Sequence, residues 1–265
     1  PDLINNDLIS RQSSDSFSGE NAAFGSSISS GDFNGDGFDD LVVGSPGDEV
    51  SGADDAGMVT VSYGSVSGLV DPQVFHQATA GVDGTVGSGD HFGEVVTSGD
   101  LNGDGYDDLI VGIPDDYRCW NHIGVCGSVG AISIFYGSAN GLSAENNQYF
   151  GQRSNGVQGT VAVGDRYGAS LASSDLNGDG FDDIVVGIPD DQRCWGYIGV
   201  CGSVGAINIL YGTANGVTVE NNQYFGQRSN GVQGTVAVGD RYGASVATGD
   251  IDNDGFDDVV VGIPD

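Results

Sequence analysis

Lysine is absent from this 265-residue chain, and its seven basic residues are all arginine. Against 38 acidic residues they leave a formal net charge of −31. A polyanion of that size repels nucleic acid and anionic membranes, so neither is expected as a partner. No apolar run approaches the roughly 20 residues of a membrane span, and no signal peptide is visible. Histidine is scarce, and its three copies stand apart. His76 falls on an expected strand, His91 stands where later repeats carry Arg166 and Arg241, and His122 is matched by Tyr197. None is placed as a general base. No nucleophile-elbow pattern occurs, and GDGFDD is no phosphate loop, because no lysine follows and its acids repel phosphate. An enzyme is therefore not expected. Four cysteines without clustered histidine argue against zinc. No apolar pattern at helical spacing persists for ten residues, which leaves an all-β chain.

What the chain has in excess is glycine, at 47 residues, and one acidic unit in four copies. DLNGDGYDDLIVGIP starts at Asp100, with close copies starting at Asp32, Asp175 and Asp250, spaced by 68, 75 and 75 residues. The stretch from Glu145 to Ser170 recurs letter for letter from Glu220 to Ser245, which implies duplication and equivalent structure. Repeats this long indicate propellers or arrays. Three repeats are expected at 24–91, 92–166 and 167–241, with a partial one at 242–265. The leading segment 1–23 aligns with a strand that completes or pairs with a blade.

Each repeat reads as four short strands separated by Gly, Asn and Asp. The first follows an aromatic-Gly pair, as at Phe92-Gly93 and Tyr167-Gly168. The second is the apolar run after the acidic loop, such as 109–112, apolar on both faces and so buried between neighbours. The third is an alternating stretch, 130–138 and 205–213, where Tyr136 and Tyr211 serve as strand packing. The fourth lies near 147–154. Four antiparallel strands per unit, stacked radially, make β-propeller blades, about three and a half of them here.

The acidic loop has the make-up of a metal site. Oxygen-bearing side chains at positions 1, 3, 5 and 9, a backbone carbonyl at 7 and a turn glycine at 6 suit a hard cation that takes six to eight oxygens, with calcium the best fit. The four candidate sets are Asp32, Asn34, Asp36, Phe38 and Asp40; Asp100, Asn102, Asp104, Tyr106 and Asp108; Asp175, Asn177, Asp179, Phe181 and Asp183; and Asp250, Asp252, Asp254, Phe256 and Asp258. An EF-hand needs Glu at position 12, where these loops carry Val43, Val111, Val186 and Val261. The adjacent Asp39, Asp107, Asp182 and Asp257 are expected to be outer-shell or solvent-facing groups. Acidic turns without metal are the bland alternative, but crowded carboxylates repel one another unless a cation neutralises them. A merely solvated acidic surface, suited to salty water, remains a second account of the charge.

Aromatic-Gly, then D-x-[ND]-x-D-G-x-x-D, then a strand ending Gly-x-Pro, resembles the FG-GAP repeat of integrin α-subunit propellers and related bacterial proteins. The resemblance implies a propeller with structural calcium in its loops, serving adhesion or protein binding. Related propellers also occur as lectins and as accessory domains of secreted enzymes. Integrin propellers have seven blades, so the resemblance implies a portion of a longer array, or a subunit whose ends pair with another copy.

Two cysteine loops depart from that pattern, Cys119–Cys126 and Cys194–Cys201. Their spacing suits a small disulfide-closed hairpin in each, with reduced buried thiols as the alternative. Disulfides and low-affinity calcium loops together favour an extracellular setting. Trp120 and Trp195 within them could stack on a sugar or pack on their own hairpin. The reading is of a secreted or cell-surface calcium module with a protein or glycan partner. Carbohydrate binding beside a secreted enzyme is one competitor; self-association through open strand edges into a filament or ring is another.

Overall fold

The computed structural model describes residues 22–120, 125–195 and 200–264. Among them every regular element is a β-strand. The first sheet is β1 (Ile28–Gly31), β2 (Asp40–Ser45), β3 (Met58–Tyr63) and β4 (Val70–Phe75), paired antiparallel in sequence order. The second joins β5 (Val95–Gly99), β6 (Asp108–Ile113), β9 (Ala131–Tyr136) and β10 (Ser143–Phe150). Between β6 and β9 it carries the hairpin β7 (Tyr117–Trp120) and β8 (Val125–Ser128). The third repeats this design with β11 (Ser170–Ser174), β12 (Asp183–Ile188), β15 (Ala206–Tyr211) and β16 (Thr218–Phe225), and the hairpin β13 (Gln192–Trp195) and β14 (Val200–Ser203). A two-stranded sheet, β17 (Ser245–Gly249) and β18 (Asp258–Gly262), follows. These are propeller blades. Their first strands, β1, β5, β11 and β17, touch in succession.

The second strand of each blade is apolar because it has no wet face. All six residues of β6 and of β12 are buried, and all of β2 except Leu41. Three apolar clusters fill the blade interfaces. The first joins Val42, Val59 and Phe75 to Phe92, Leu109 and Phe135. Phe135 is its centre, 4.7 Å from the Phe75 ring and 6.3 Å, edge-on, from that of Phe92. Truncating such a ring to alanine costs about 3–5 kcal/mol. The second joins Ile110, Ile132 and Ile134 to Tyr167 and Ile184. Phe92, Tyr167 and Tyr242, the aromatics of three aromatic-Gly pairs, therefore plug the gap behind the preceding blade. Among the described residues β18 pairs only with β17, and it stays exposed or half-buried along its length.

The Gly-x-Pro motif has a steric cause. A methyl group on Gly112 would lie 2.4 Å from the carbonyl oxygen of Gly168, the glycine of the next aromatic-Gly pair. The backbone of one blade is pressed against the backbone of the next, and only glycine leaves the room.

Three expectations need correction. The third strands do not alternate between core and water: β9 and β15 are buried at five of six positions. Their polar members are paired instead, as Ser133 Oγ is by Asn147 Nδ2 at 2.9 Å. The fourth strand begins and ends four residues earlier than expected, at Ser143–Phe150. It stops there because Gly151 turns the chain, with Ser154 N donating to Gly151 O at 2.8 Å. His76 accordingly follows β4 rather than lying on it. The expected N-terminal strand falls almost wholly outside the described residues.

Candidate metal centre

Each acidic loop joins the first two strands of a blade, and its own amides fold it around its first aspartate. In the second blade, Gly103 N and Asp104 N donate to Asp100 Oδ1 at 2.7 and 3.2 Å, and Gly105 N to Asp100 Oδ2 at 3.0 Å. Asp104 N also donates to Asn102 Oδ1 at 2.9 Å. Gly105 holds φ at +86°, a conformation that side chains with a Cβ resist. The loops at Asp32, Asp175 and Asp250 repeat the bonds made by the fifth- and sixth-position amides. In the fourth loop, Asp250, Asp252 and Asp254 offer oxygens that all lie within 4.8 Å of one another.

The ninth position behaves differently. Asp108 is fully buried; its Oδ2 accepts from Leu101 N at 3.0 Å and its Oδ1 from Gly137 N at 2.9 Å. It thus pins the loop to the end of β9. Burial pushes its carboxyl up to about 8, with Asp104 and Asp100 adding repulsion against the lowering effect of the two amides. Asp183 is pushed up to about 7 for the same leading reason. Its Oδ1 accepts from Gly212 N at 3.0 Å, while its buried Oδ2 has no hydrogen-bond partner.

Two of the eighth-position aspartates, Asp107 and Asp182, are not the outer-shell or solvent-facing groups expected, whereas Asp39 is exposed. Asp32 N donates to Asp107 Oδ2 at 2.9 Å, and Asp100 N to Asp182 Oδ2 at 3.1 Å. Each reaches back to the first ligand position of the preceding loop. The position-7 ring does likewise: Tyr106 covers Gly35 so closely that a methyl there would sit 2.5 Å from the ring. Phe181 covers Gly103 and Phe256 covers Gly178 in the same way. The loops therefore form one linked row.

This donor set fits a hard divalent cation. Every candidate atom is a carboxylate, amide or carbonyl oxygen, the hard donors such a cation takes. The side chains at positions 1, 3, 5 and 9 and the carbonyl at 7 would hold it, and it would supply neutralising charge to the crowded acids.

A second group, His91, Glu94 and Asp115, also brings ligand-type atoms within 4.8 Å. Here Arg166 already reaches Glu94 Oε1 at 2.6 Å and Asp115 Oδ1 at 3.4 Å. His91 Nδ1 lies 2.9 Å from Asp115 Oδ2, a bond that raises its pKa. The group is an ion-pair network joining blades two and three.

Cys119 and Cys126 form a disulfide across the β7–β8 hairpin. Cys194 and Cys201 occupy the equivalent paired backbone positions in β13 and β14, but their side chains lie outside the described residues, as do those of Trp120 and Trp195. His122 also falls outside them. Tyr136 does more than pack: its hydroxyl donates to Gln148 Oε1 and accepts from Val217 N of the next blade at 3.0 Å. Sequence reasoning missed these cross-blade roles; the glycines at Gly31, Gly35 and Gly112 were the signal available.

The FG-GAP repeat model matches residues 24–62, 92–135, 167–199 and 242–265, just over half of the chain. The chain belongs to the FG-GAP repeat family. Integrin alpha-5 of Xenopus laevis is 28% identical over 96% of this chain and 21% of its own length. Integrin alpha pat-2 of Caenorhabditis briggsae is 30% identical over 90% of this chain and 18% of its own. Phosphatidylinositol-glycan-specific phospholipase D of Bos taurus is 34% identical over 62% of this chain and 18% of its own. This FG-GAP chain thus spans about a fifth of the length of these curated relatives. Among the described residues there is no helix long and apolar enough to cross a membrane.

Proposed function

We propose that this chain is an extracellular, calcium-stabilised propeller module that mediates adhesion or protein binding and is not an enzyme. The observation that carries the reading is the set of four like-folded, oxygen-rich loops, in one of which Asp250, Asp252 and Asp254 bring their oxygens within 4.8 Å of one another. Calcium there is structural: it ties together a loop whose acids otherwise repel. The Cys119–Cys126 disulfide supports an oxidising location. The likeness to integrin alpha chains supports a protein partner.

A carbohydrate-binding module accessory to a secreted enzyme is the second reading, favoured by the match to a phosphatidylinositol-glycan-specific phospholipase D. At free calcium of ~100 Kd each independent site adds up to about 2.7 kcal/mol. Thermal melts in millimolar calcium and in chelator are the test. A Tm that drops steeply in chelator is expected; coincident melting curves would refute the assignment.

A further inference from the structure

The row of acidic loops is interrupted at one place. Asp107 sits between two ligand positions of the second loop, the Tyr106 carbonyl and the Asp108 carboxylate. It holds both backbone groups of the first ligand residue of the preceding loop: Asp32 N donates to Asp107 Oδ2 at 2.9 Å, and Asp107 N to Asp32 O at 3.2 Å. Asp182 holds Asp100 in the same way, at 3.1 and 2.9 Å. Asp257 and Asp175 are the next such pair in sequence, and among the described residues they exchange neither bond.

The cause is one side chain. The residue before the first ligand is glycine in three loops, at Gly31, Gly99 and Gly249, and serine in the other, at Ser174. A methyl on Gly31 would lie 2.6 Å from Asp107 Oδ2, and one on Gly99 would lie 2.3 Å from Asp182 Oδ2. The crossing carboxylate fills the space that a β-carbon needs, so only one of the two can be there. Ser174 has that β-carbon. Its hydroxyl is buried without a hydrogen-bond partner, so it does not replace the lost acceptor.

β17 is docked as the earlier first strands are. Thr248 Oγ1 donates to Ser173 O at 3.3 Å, as Ser173 Oγ does to Ser98 O at 2.7 Å. A methyl on Gly187 would lie 2.2 Å from the Gly243 carbonyl oxygen, the same close approach of backbones as between Gly112 and Gly168. Phe256 still lies over Gly178. The strands and the ring keep their places, and the polar tie between the loops is what this junction lacks.

That tie has a thermodynamic meaning. When a loop closes on a cation, its position-7 carbonyl and ninth-position carboxylate take fixed places, and so does the aspartate between them. That aspartate in turn fixes the first ligand of the preceding loop. Part of the ordering that the preceding loop needs is then already done, which favours its own closure. Equilibrium coupling is reciprocal, so it runs both ways along the row. Repulsion between neighbouring cations does not cancel it, because Asp100, Asp104 and Asp107 alone outweigh one divalent charge.

We propose, building on the calcium reading, that the first three loops take their cations as one cooperative unit and that Ser174 leaves the fourth loop to bind its cation independently.

Calcium titration of the chelator-stripped chain, followed at the amide resonances of Gly37, Gly105, Gly180 and Gly255, resolves the four loops. The first three should change together, with a Hill coefficient of about 2, and Gly255 should follow a separate single-site curve. Gly99→Ser puts a β-carbon where Asp182 Oδ2 lies and should detach the third loop. Gly180 then leaves the common curve, and the Gly105 midpoint rises about fivefold. Asp182→Ala removes the same contact without crowding, and should give the same split if Gly99→Ser folds poorly. Ser174→Gly reopens the passage and should bring Gly255 onto the common curve. Four independent single-site curves in the wild type overturn the coupling and leave the calcium reading standing. So does a third loop that stays with the others in both Gly99→Ser and Asp182→Ala, or a Gly255 curve unmoved by Ser174→Gly. Amides that ignore calcium in every variant overturn the calcium reading and the coupling with it.

Discussion

Asp107 and Asp32 stand 75 residues apart in sequence and are bonded twice: Asp32 N donates to Asp107 Oδ2 at 2.9 Å, and Asp107 N to Asp32 O at 3.2 Å. One acidic loop is thereby fastened to the next. Asp107→Ala leaves the Asp32 amide without its acceptor and should cost about 1–3 kcal/mol in chemical denaturation. Asp107→Asn keeps an oxygen in place and should recover most of that loss. Equal stability of wild type and Asp107→Ala would show the link to be idle.

Two glycines should separate crowding from backbone strain. Gly112→Ala places a methyl 2.4 Å from the Gly168 carbonyl, where backbone must move, and overpacking of that kind costs about 1–3 kcal/mol or more. Gly105→Ala meets nothing within 4 Å and pays only for φ at +86°, about 1 kcal/mol. Denaturation midpoints should rank Gly112→Ala as the worse.

Removing one ligand should matter only when calcium is present. Asp104→Ala takes away the fifth-position oxygen of the second loop. It should forfeit up to about 2.7 kcal/mol in calcium at ~100 Kd and change little in chelator. A loss of equal size in both conditions would place the role of Asp104 in the loop's own hydrogen bonds, such as Tyr106 N to Asp104 Oδ1 at 3.0 Å.

The pH response should carry the mark of Asp165. Burial pushes this carboxyl up to about 7, and it accepts from Ala162 N at 2.6 Å and from Gln192 N at 3.1 Å. Its folded pKa lies above its unfolded value near 3.8. Between those values the folded state holds the proton more tightly. The contribution is complete below about 4 and is lost as pH rises through about 7. Asp165→Asn turns an amide nitrogen toward one of the two donors and should be less stable. The stability difference between it and wild type should shrink as pH rises from 4 to 7, read by denaturation at fixed ionic strength.

How far the sequence could be read depended on distance along the chain. The loop ligands fall within nine residues, so their alternation and the turn glycine were visible as text. The buried second strands declared themselves by apolar runs such as Leu109 to Val111. The third strands misled because Ser133 and Asn208 look like outward-facing positions, whereas each is buried and bonded to a fourth-strand side chain or backbone.

The cluster around Asp116 was invisible for the same reason. Arg118, Tyr149 and Gln77 are spread over some 70 residues and meet only on Asp116, which reads as one more acid in an acidic chain. By itself the sequence determined the repeat, the strand class and the oxygen chemistry of each loop, because hydrogen bonds and steric limits between near neighbours set those. Only the tertiary structure decided which acids are ligand candidates, which are cross-blade ties and which are buried anchors. That choice depends on the neighbouring blade, whose contacting residues lie some 70–80 positions away and whose packing fixes burial and the partners within reach.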